Sequence, residues 1–415
     1  MNRVAIVVQR CHQSVVGGSE SLAWQYATLL SEIYHVDVLT TTAVDLRDWA
    51  NALPEGVEQV DGVSIHRFRV TIGRTAPWGR LFERLTGDYE KYGVGQTSGP
   101  KGLNYLPWRI ALQEEFIRKQ GPYSEPLMRY LRRQWSDYKS IIFVTYLYPT
   151  TYFGLFQIPK YYGLIAPTLH DEPPAHLSAF KHAAHRARSI VWLTDAEHRV
   201  GQDLWGNLPG RVIAMSVETG LRKPAPLPSP YLLYCGRIDP HKGSRELFQY
   251  FAKFKKAFPS DLRLLLTGKD DMPVPSHPDI KFLGFVSEEE KLGLMAGAKV
   301  FVIPSPNESF SIVTLEAMAQ RTPVLASSKS EVLVDHIKSS GAGRVYDDYE
   351  GFAAALHEML SDEKRAQLGN RGREYVVSRY RPEHVRESLK AAVESCVEVI
   401  TDETSLIETA STYRT

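Results

Sequence analysis

Two glutamates eight positions apart, Glu308 and Glu316, stand in the stretch KVFVIPSPNESFSIVTLEAMAQ (299–320). Residues 300–303 read as a buried strand, Pro304 and Ser305 as a turn, and a helix opens near Ser311. A parallel strand that empties into a helix start offers an anion the unpaired first N–H groups and the positive end of the helix dipole. Glu308 in the loop and Glu316, about two turns into the helix, would repel that anion, so both serve better as acceptors for neutral hydroxyls beside it. A phosphate that carries sugars meets both demands.

Arg237 and Lys242 lie five residues apart in GRIDPHKG (236–243), a turn closed by Gly236 and Gly243. Each cation alone reads as surface decoration. Together, and beside a helix start, they suit a diphosphate leaving group. His170 ends the segment TLHD (168–171) at a strand exit, where α/β folds place ligand contacts, although a lone His is commonly structural. GGSE (17–20) follows the first strand, so Gly17 and Gly18 either approach a ligand or serve only the turn. It is not G-x-G-x-x-G, and the dinucleotide fingerprint is missing.

The elements that must position these residues alternate. Strands are expected at 3–8, 36–40, 141–145, 161–167, 189–194 and 211–215, with a helix from about Glu20 to Glu32 capped by Ser19. The uncharged segment 140–159 has the length of a membrane span, but Pro149, Gly154 and its tyrosines favour a strand followed by a Tyr-rich loop. The proline-rich KPAPLPSP (223–230) reads as a linker. A second series follows, with strands at 231–235, 262–267, 280–283 and 300–303 and helices near 244–257 and 288–298. Its loops, 236–243, 268–271, 284–287 and 305–311, leave the carboxyl ends of strands and crowd one crevice. The fold class is α/β, two Rossmann-like doubly wound domains facing across a cleft, with boundaries at 1–222 and 223–380. Residues 381–415 form a helix that packs back on the first domain, ending in a frayed tail, 402–415.

Bulk properties narrow the functions. The 415 residues suit two domains, and 49 basic against 48 acidic residues give no global field for nucleic acid. Cys11, Cys235 and Cys396 form neither a disulfide framework nor a metal cluster, pointing to a cytoplasmic protein. Between 74 and 135 the basic residues Arg74, Arg80, Arg84, Lys91, Arg118, Lys119, Arg129, Arg132 and Arg133 mix with Trp108, Phe116, Tyr130 and Trp135. Such a stretch either faces solvent or rests on an anionic membrane surface, with peripheral attachment at the inner face.

GGSE, the strand-end His170 and Asp171, GRIDPHKG and ESFSIVTLE (308–316) together resemble the retaining glycosyltransferases of family 4, with the GT-B fold. The likeness is strongest in the second half. It departs at Ser311, where that family commonly has Gly; a serine there is expected to cap the helix. The resemblance implies that Arg237 and Lys242 neutralise a nucleotide diphosphate and that the N–H groups of Ile312 and Val313 hold its distal phosphate. Glu316 would accept from the ribose, Glu308 from the donor sugar, and the base would lie against Gly284, Phe285 and Val286. Gly17, Gly18, Gly236, Gly268, Phe310 and Ser311 would complete the donor site, and His170 would face the sugar.

The expected activity is transfer of a hexose-type sugar from a nucleotide diphosphate sugar, UDP-linked in preference to GDP-linked, to a hydroxyl of a saccharide or lipid-linked acceptor in polysaccharide or glycoconjugate synthesis. No cofactor is expected. No two aspartates are separated by one residue, so the D-x-D metal motif is missing and metal-independent transfer is expected. Alternatives are a sugar-nucleotide epimerase of the same fold, a non-catalytic sugar-nucleotide-binding protein and, less well supported, a nicotinamide oxidoreductase.

Overall fold

A computed structural model describes residues 2–12, 17–94 and 104–396. The tail 402–415 and part of the basic stretch, 95–103, lie outside the described residues. The chain divides into two units, Met1–Met215 with Val385–Thr415, and Ser216–His384.

Among the described residues, unit 1 holds eight strands: β1 (Arg3–Val7), β2 (His35–Thr41), β3 (Gly56–Val60), β4 (Val63–Phe68), β5 (Ser140–Val144), β6 (Gly163–Ala166), β7 (Ser189–Trp192) and β8 (Gly210–Val212). Their order is β3-β4-β2-β1-β5-β6-β7-β8. All neighbours are parallel except β3, which pairs with β4 as an antiparallel edge. The hairpin of β3 and β4 was not foreseen from the sequence. β1 and β5 are Val- and Ile-rich and buried throughout apart from Arg3, as strands covered on both faces must be. The order reverses between β1 and β5, so the loops leaving them flank the natural crevice of this sheet.

Several expectations change here. The first helix is Gly18–Ser31 and its N-cap is Gly17, not Ser19. The Ser19 hydroxyl instead donates to Glu20 Oε2 at 3.0 Å and accepts from Gln9 at 2.9 Å. The expected Tyr-rich loop after β5 contains a helix, Pro149–Leu155, started by Pro149, whose fixed φ suits a first helical turn. The basic stretch between 74 and 135 is built on helices Ala76–Tyr92, Ile110–Gln120 and Glu125–Gln134. Phe116 and Trp108 there belong to the core with Leu85, Leu127 and Leu131, so those two aromatics do not interleave an exposed basic face.

Unit 2 holds six parallel strands: β9 (Tyr231–Cys235), β10 (Arg263–Thr267), β11 (Ile280–Phe282), β12 (Val300–Ile303), β13 (Val324–Ser327) and β14 (Gly343–Tyr346). The order β11-β10-β9-β12-β13-β14 is that of a doubly wound nucleotide-binding sheet, reversing between β9 and β12. The division between units falls at Met215/Ser216 rather than at 222/223, because Val217 N already donates to Tyr380 O within unit 2. The proline-rich segment is not a free tether, since Ala225 N bonds to Gly293 O at 2.9 Å. Residues from Val385 onward group with unit 1, where Glu394 accepts from the Tyr34 hydroxyl at 3.3 Å. No helix among the described residues is long and apolar enough to cross a membrane.

Candidate active site

The reversal point of the second sheet collects the loops that carry the charged pairs. After β9, Gly236 turns with φ +153° and Tyr234 donates its hydroxyl to Arg237 O at 2.6 Å, fixing the turn from below. Asp239 N-caps the short turn at Pro240–Lys242 by accepting from His241 N at 2.7 Å, and its carboxylate lies 3.8 Å from the Arg237 guanidinium. Arg237 remains largely exposed. Gly243, at φ +74°, sits so close to Pro304 that an added Cβ would lie 2.3 Å from the Pro304 carbonyl oxygen. Only glycine lets the loops after β9 and β12 approach this closely.

That approach brings Lys242 to the second loop. Its ammonium lies 2.7 Å from Glu308 Oε1 and donates also to Asn307 O at 3.3 Å. Both side chains are mostly enclosed, at 28% and 15% exposure. A cation and an acceptor thus meet beside the start of helix Ile312–Ala319. The N–H groups of Ile312 and Val313 have no acceptor among the described residues, whereas Thr314 N is satisfied by Ser311 O at 3.0 Å. Two free donors therefore point out of the helix start.

Ser311 does not cap this helix through its side chain. It stands in the left-handed region, φ +60° and ψ 62°, and its hydroxyl pairs with Thr314 Oγ1 at 2.9 Å. That conformation favours glycine and costs other residues about 1–2 kcal/mol. Phe310 is buried, packing against His336 and Tyr380, so its ring supports the loop from inside rather than meeting a ligand. His336 Nε2 lies 2.9 Å from Phe310 O and Nδ1 lies 3.1 Å from Tyr375 Oη. Burial holds the His336 pKa below its ordinary value, so the ring is a neutral strut.

Glu316 falls in the second turn of the helix and is nearly buried. Its Oε2 lies 2.8 Å from Lys291 Nζ, which also reaches Glu288 at 2.7 Å. Burial raises the Glu316 pKa against the pull of Lys291. Burial alone would lower that of Lys291, but Glu316 and Glu288 more than reverse this. Lys291 escaped the sequence reading because it sits in the run EEEK, which reads as a solvated helix start.

The remaining glycines form a stack. Gly268, at φ +131°, would place a Cβ 2.1 Å from Gly236 O, and Gly268 N donates to Gly284 O at 3.0 Å. Phe285 follows with 74% of its surface exposed, and Val286 is half-buried. In unit 1, Gly17 packs against Glu20, while His170 lies on the exit of β6 with Nε2 3.6 Å from Glu172 Oε1 and Nδ1 buried without a partner. Behind it, Glu197 accepts from Leu169 N at 2.6 Å and from Leu193 N at 2.5 Å, tying the exits of β6 and β7 together. Burial pushes the Glu197 pKa up to about 8.

Residues 221–375, most of unit 2, match the family model for glycosyl transferases group 1. By this match unit 2 is similar to the group 1 glycosyl transferases, and the two Rossmann-like units are those of the GT-B fold. It is 29% identical over 241 residues to D-inositol 3-phosphate glycosyltransferase of Kineococcus radiotolerans, covering 48% of this chain and 55% of that protein. It is 36% identical over 148 residues to phosphatidyl-myo-inositol mannosyltransferase of Mycolicibacterium smegmatis, covering 32% and 36%. The chain thus spans little more than half of the first relative and about a third of the second. The solved structure of Anabaena HepE in complex with UDP and glucose superposes with a TM-score of 0.66 at 14% identity, covering 95% of this chain and all of that one, and shares the fold.

Proposed function

We propose that this protein is a retaining glycosyltransferase that moves a hexose-type sugar from a nucleotide diphosphate sugar to a hydroxyl of a saccharide or lipid-linked saccharide. The observation that carries the reading is the pairing of Lys242 with Glu308 beside the free N–H groups of Ile312 and Val313. Cations and free donors suit a diphosphate, and a carboxylate suits neutral sugar hydroxyls next to it. Glu316, held by Lys291, takes the ribose, and the exposed Phe285 offers a face to the base. The UDP complex of HepE favours a uridine donor.

In the transfer, the bond between the anomeric carbon and the phosphate oxygen breaks as the acceptor oxygen bonds to the same face. The acceptor proton passes to the departing phosphate. Arg237, Lys242 and the helix start stabilise the charge on that leaving group, so no metal ion is required. Glu308 already accepts from Lys242 and is used to orient the sugar rather than to attack it. The exposed Arg80, Arg129 and Arg133 leave an anionic membrane surface open as the place where a lipid-linked acceptor is met.

The test is release of UDP or GDP from a panel of sugar nucleotides, with thermal shift by the free nucleotides alongside. A nucleotide that binds should raise the melting temperature in proportion to the logarithm of its concentration above Kd. If no nucleotide or sugar nucleotide shifts it, the reading fails.

A further inference from the structure

The carboxyl edge of the first sheet gathers two guanidinium groups, of which, among the described residues, only Arg10 has a carboxylate within ion-pair distance. Arg10 leaves β1, Trp49 follows β2, Arg74 follows β4 and Tyr148 follows β5, so four loops on either side of the β1/β5 reversal converge. Trp49 is buried and its ring is shared: the guanidinium carbons of Arg10 and Arg74 each lie 5.9 Å from its centroid, and Tyr148 packs edge-on at 5.3 Å. The Glu20 carboxylate is taken by Arg10 at 2.5 Å. Arg74 has no carboxylate within ion-pair distance among the described residues; besides Trp49 it meets Gln120 O at 3.4 Å and the Trp78 ring at 4.2 Å. On this aromatic floor Glu20 holds Arg10, while Asp45 acts on Arg74 only from beyond ion-pair distance, and a half-buried cation without a close counterion is costly to keep.

The backbone adds a second, independent sign. Trp49 stands at φ +60°, which a bulky side chain rarely adopts, and is held there by donating to Gln120 O at 2.9 Å. Strain of this kind persists where a site needs it. The same Gln120 carbonyl receives Arg74, so the strained indole and the unpaired guanidinium are built as one piece.

Resting on the transferase reading, we propose that this cluster is the acceptor's anion subsite and that the acceptor is a saccharide or polyol bearing a phosphate or carboxylate group. Arg74 presents its planar fork to that group, which matches both oxyanions in geometry. The Tyr148 ring packs edge-on against Trp49, and its hydroxyl, among the charges of Glu20, Arg74 and Arg10, supplies a further donor. The aromatic floor keeps water from screening the contact.

Calorimetric titration of the full-length protein, with and without saturating UDP, by glucose, glucose 6-phosphate and glucuronate tests this. The expected result is that one or both charged ligands bind at least roughly tenfold more tightly than glucose. Arg74→Gln should abolish the difference and Arg74→Lys should restore part of it, with a steeper dependence on salt. UDP affinity of the same variants reports folding, and its absence in the wild type would count against the donor reading alone. No preference for charge, a preference that survives Arg74→Gln, or a loss of UDP affinity in place of saccharide affinity would each overturn the proposal.

Discussion

Lys242 and Glu308 stand 2.7 Å apart although one follows β9 and the other follows β12. The pair spans the reversal point of the sheet and is possible only because Gly243 admits the Pro304 carbonyl.

Glu308→Gln tests the role of that carboxylate. An amide still accepts from sugar hydroxyls but loses the charge that holds Lys242, so turnover should fall by about 10²-fold, the scale of one lost electrostatic contact. Mass spectrometry of the quenched enzyme should find no sugar attached to it. A trapped glycosyl adduct on the wild-type Glu308 would show that it is the nucleophile.

Charge on the departing diphosphate is assigned to Arg237, Lys242 and the helix start. Activity should therefore persist through dialysis against EDTA. Collapse of turnover with recovery on adding magnesium or manganese would refute that assignment.

Lys291→Met should cost stability in a pH-dependent way. It leaves Glu316 buried without its cation, a loss of about 3 kcal/mol for a broken buried pair. Because burial raises the Glu316 pKa, the carboxyl in the variant takes a proton readily, and the penalty shrinks as pH falls towards 4.5. Chemical denaturation across pH checks the trend, and a penalty independent of pH would contradict it.

Ser311 is constrained more by its backbone than by its hydroxyl. In Ser311→Gly, relief of about 1–2 kcal/mol of left-handed strain offsets the lost Thr314 bond and the looser unfolded chain, leaving stability within about 1 kcal/mol of wild type. Ser311→Val should destabilise by about 2 kcal/mol or more, since a β-branched side chain resists φ +60°. Equal stability of the two variants would argue against this reading.

Glu197 should impose its own pH dependence. Its folded pKa is raised from 4.5 to about 8, so its contribution is fully present below 4.5 and is lost as pH rises towards 8. Glu197→Gln should lower the melting temperature, because one backbone N–H loses its acceptor, and should flatten the profile in that window. An unchanged slope would mean that another group sets it.

The alternation of strands and helices, the charged loops of unit 2 and the helix start at Ile312 were legible in the sequence because each rests on local pattern. Phe310 was not: an aromatic beside a reactive loop reads as a ligand contact, and only packing with His336 and Tyr380 reveals it as core. Ser311 misled for a similar reason, since hydroxyl chemistry is visible in a sequence and backbone torsion is not. Lys291 and the Arg10, Trp49 and Arg74 cluster stayed hidden because their partners lie far away along the chain, on loops whose convergence depends on strand order.

The return of residues 385–396 to unit 1 sets the timetable of synthesis. Leu389, Val393 and Cys396 are fully buried there, and Arg386 pairs with Glu32, yet they leave the ribosome after all of unit 2. Nascent unit 1 must wait, with part of its apolar surface uncovered, while a whole second sheet is made. Its last core residues arrive only after that sheet is complete.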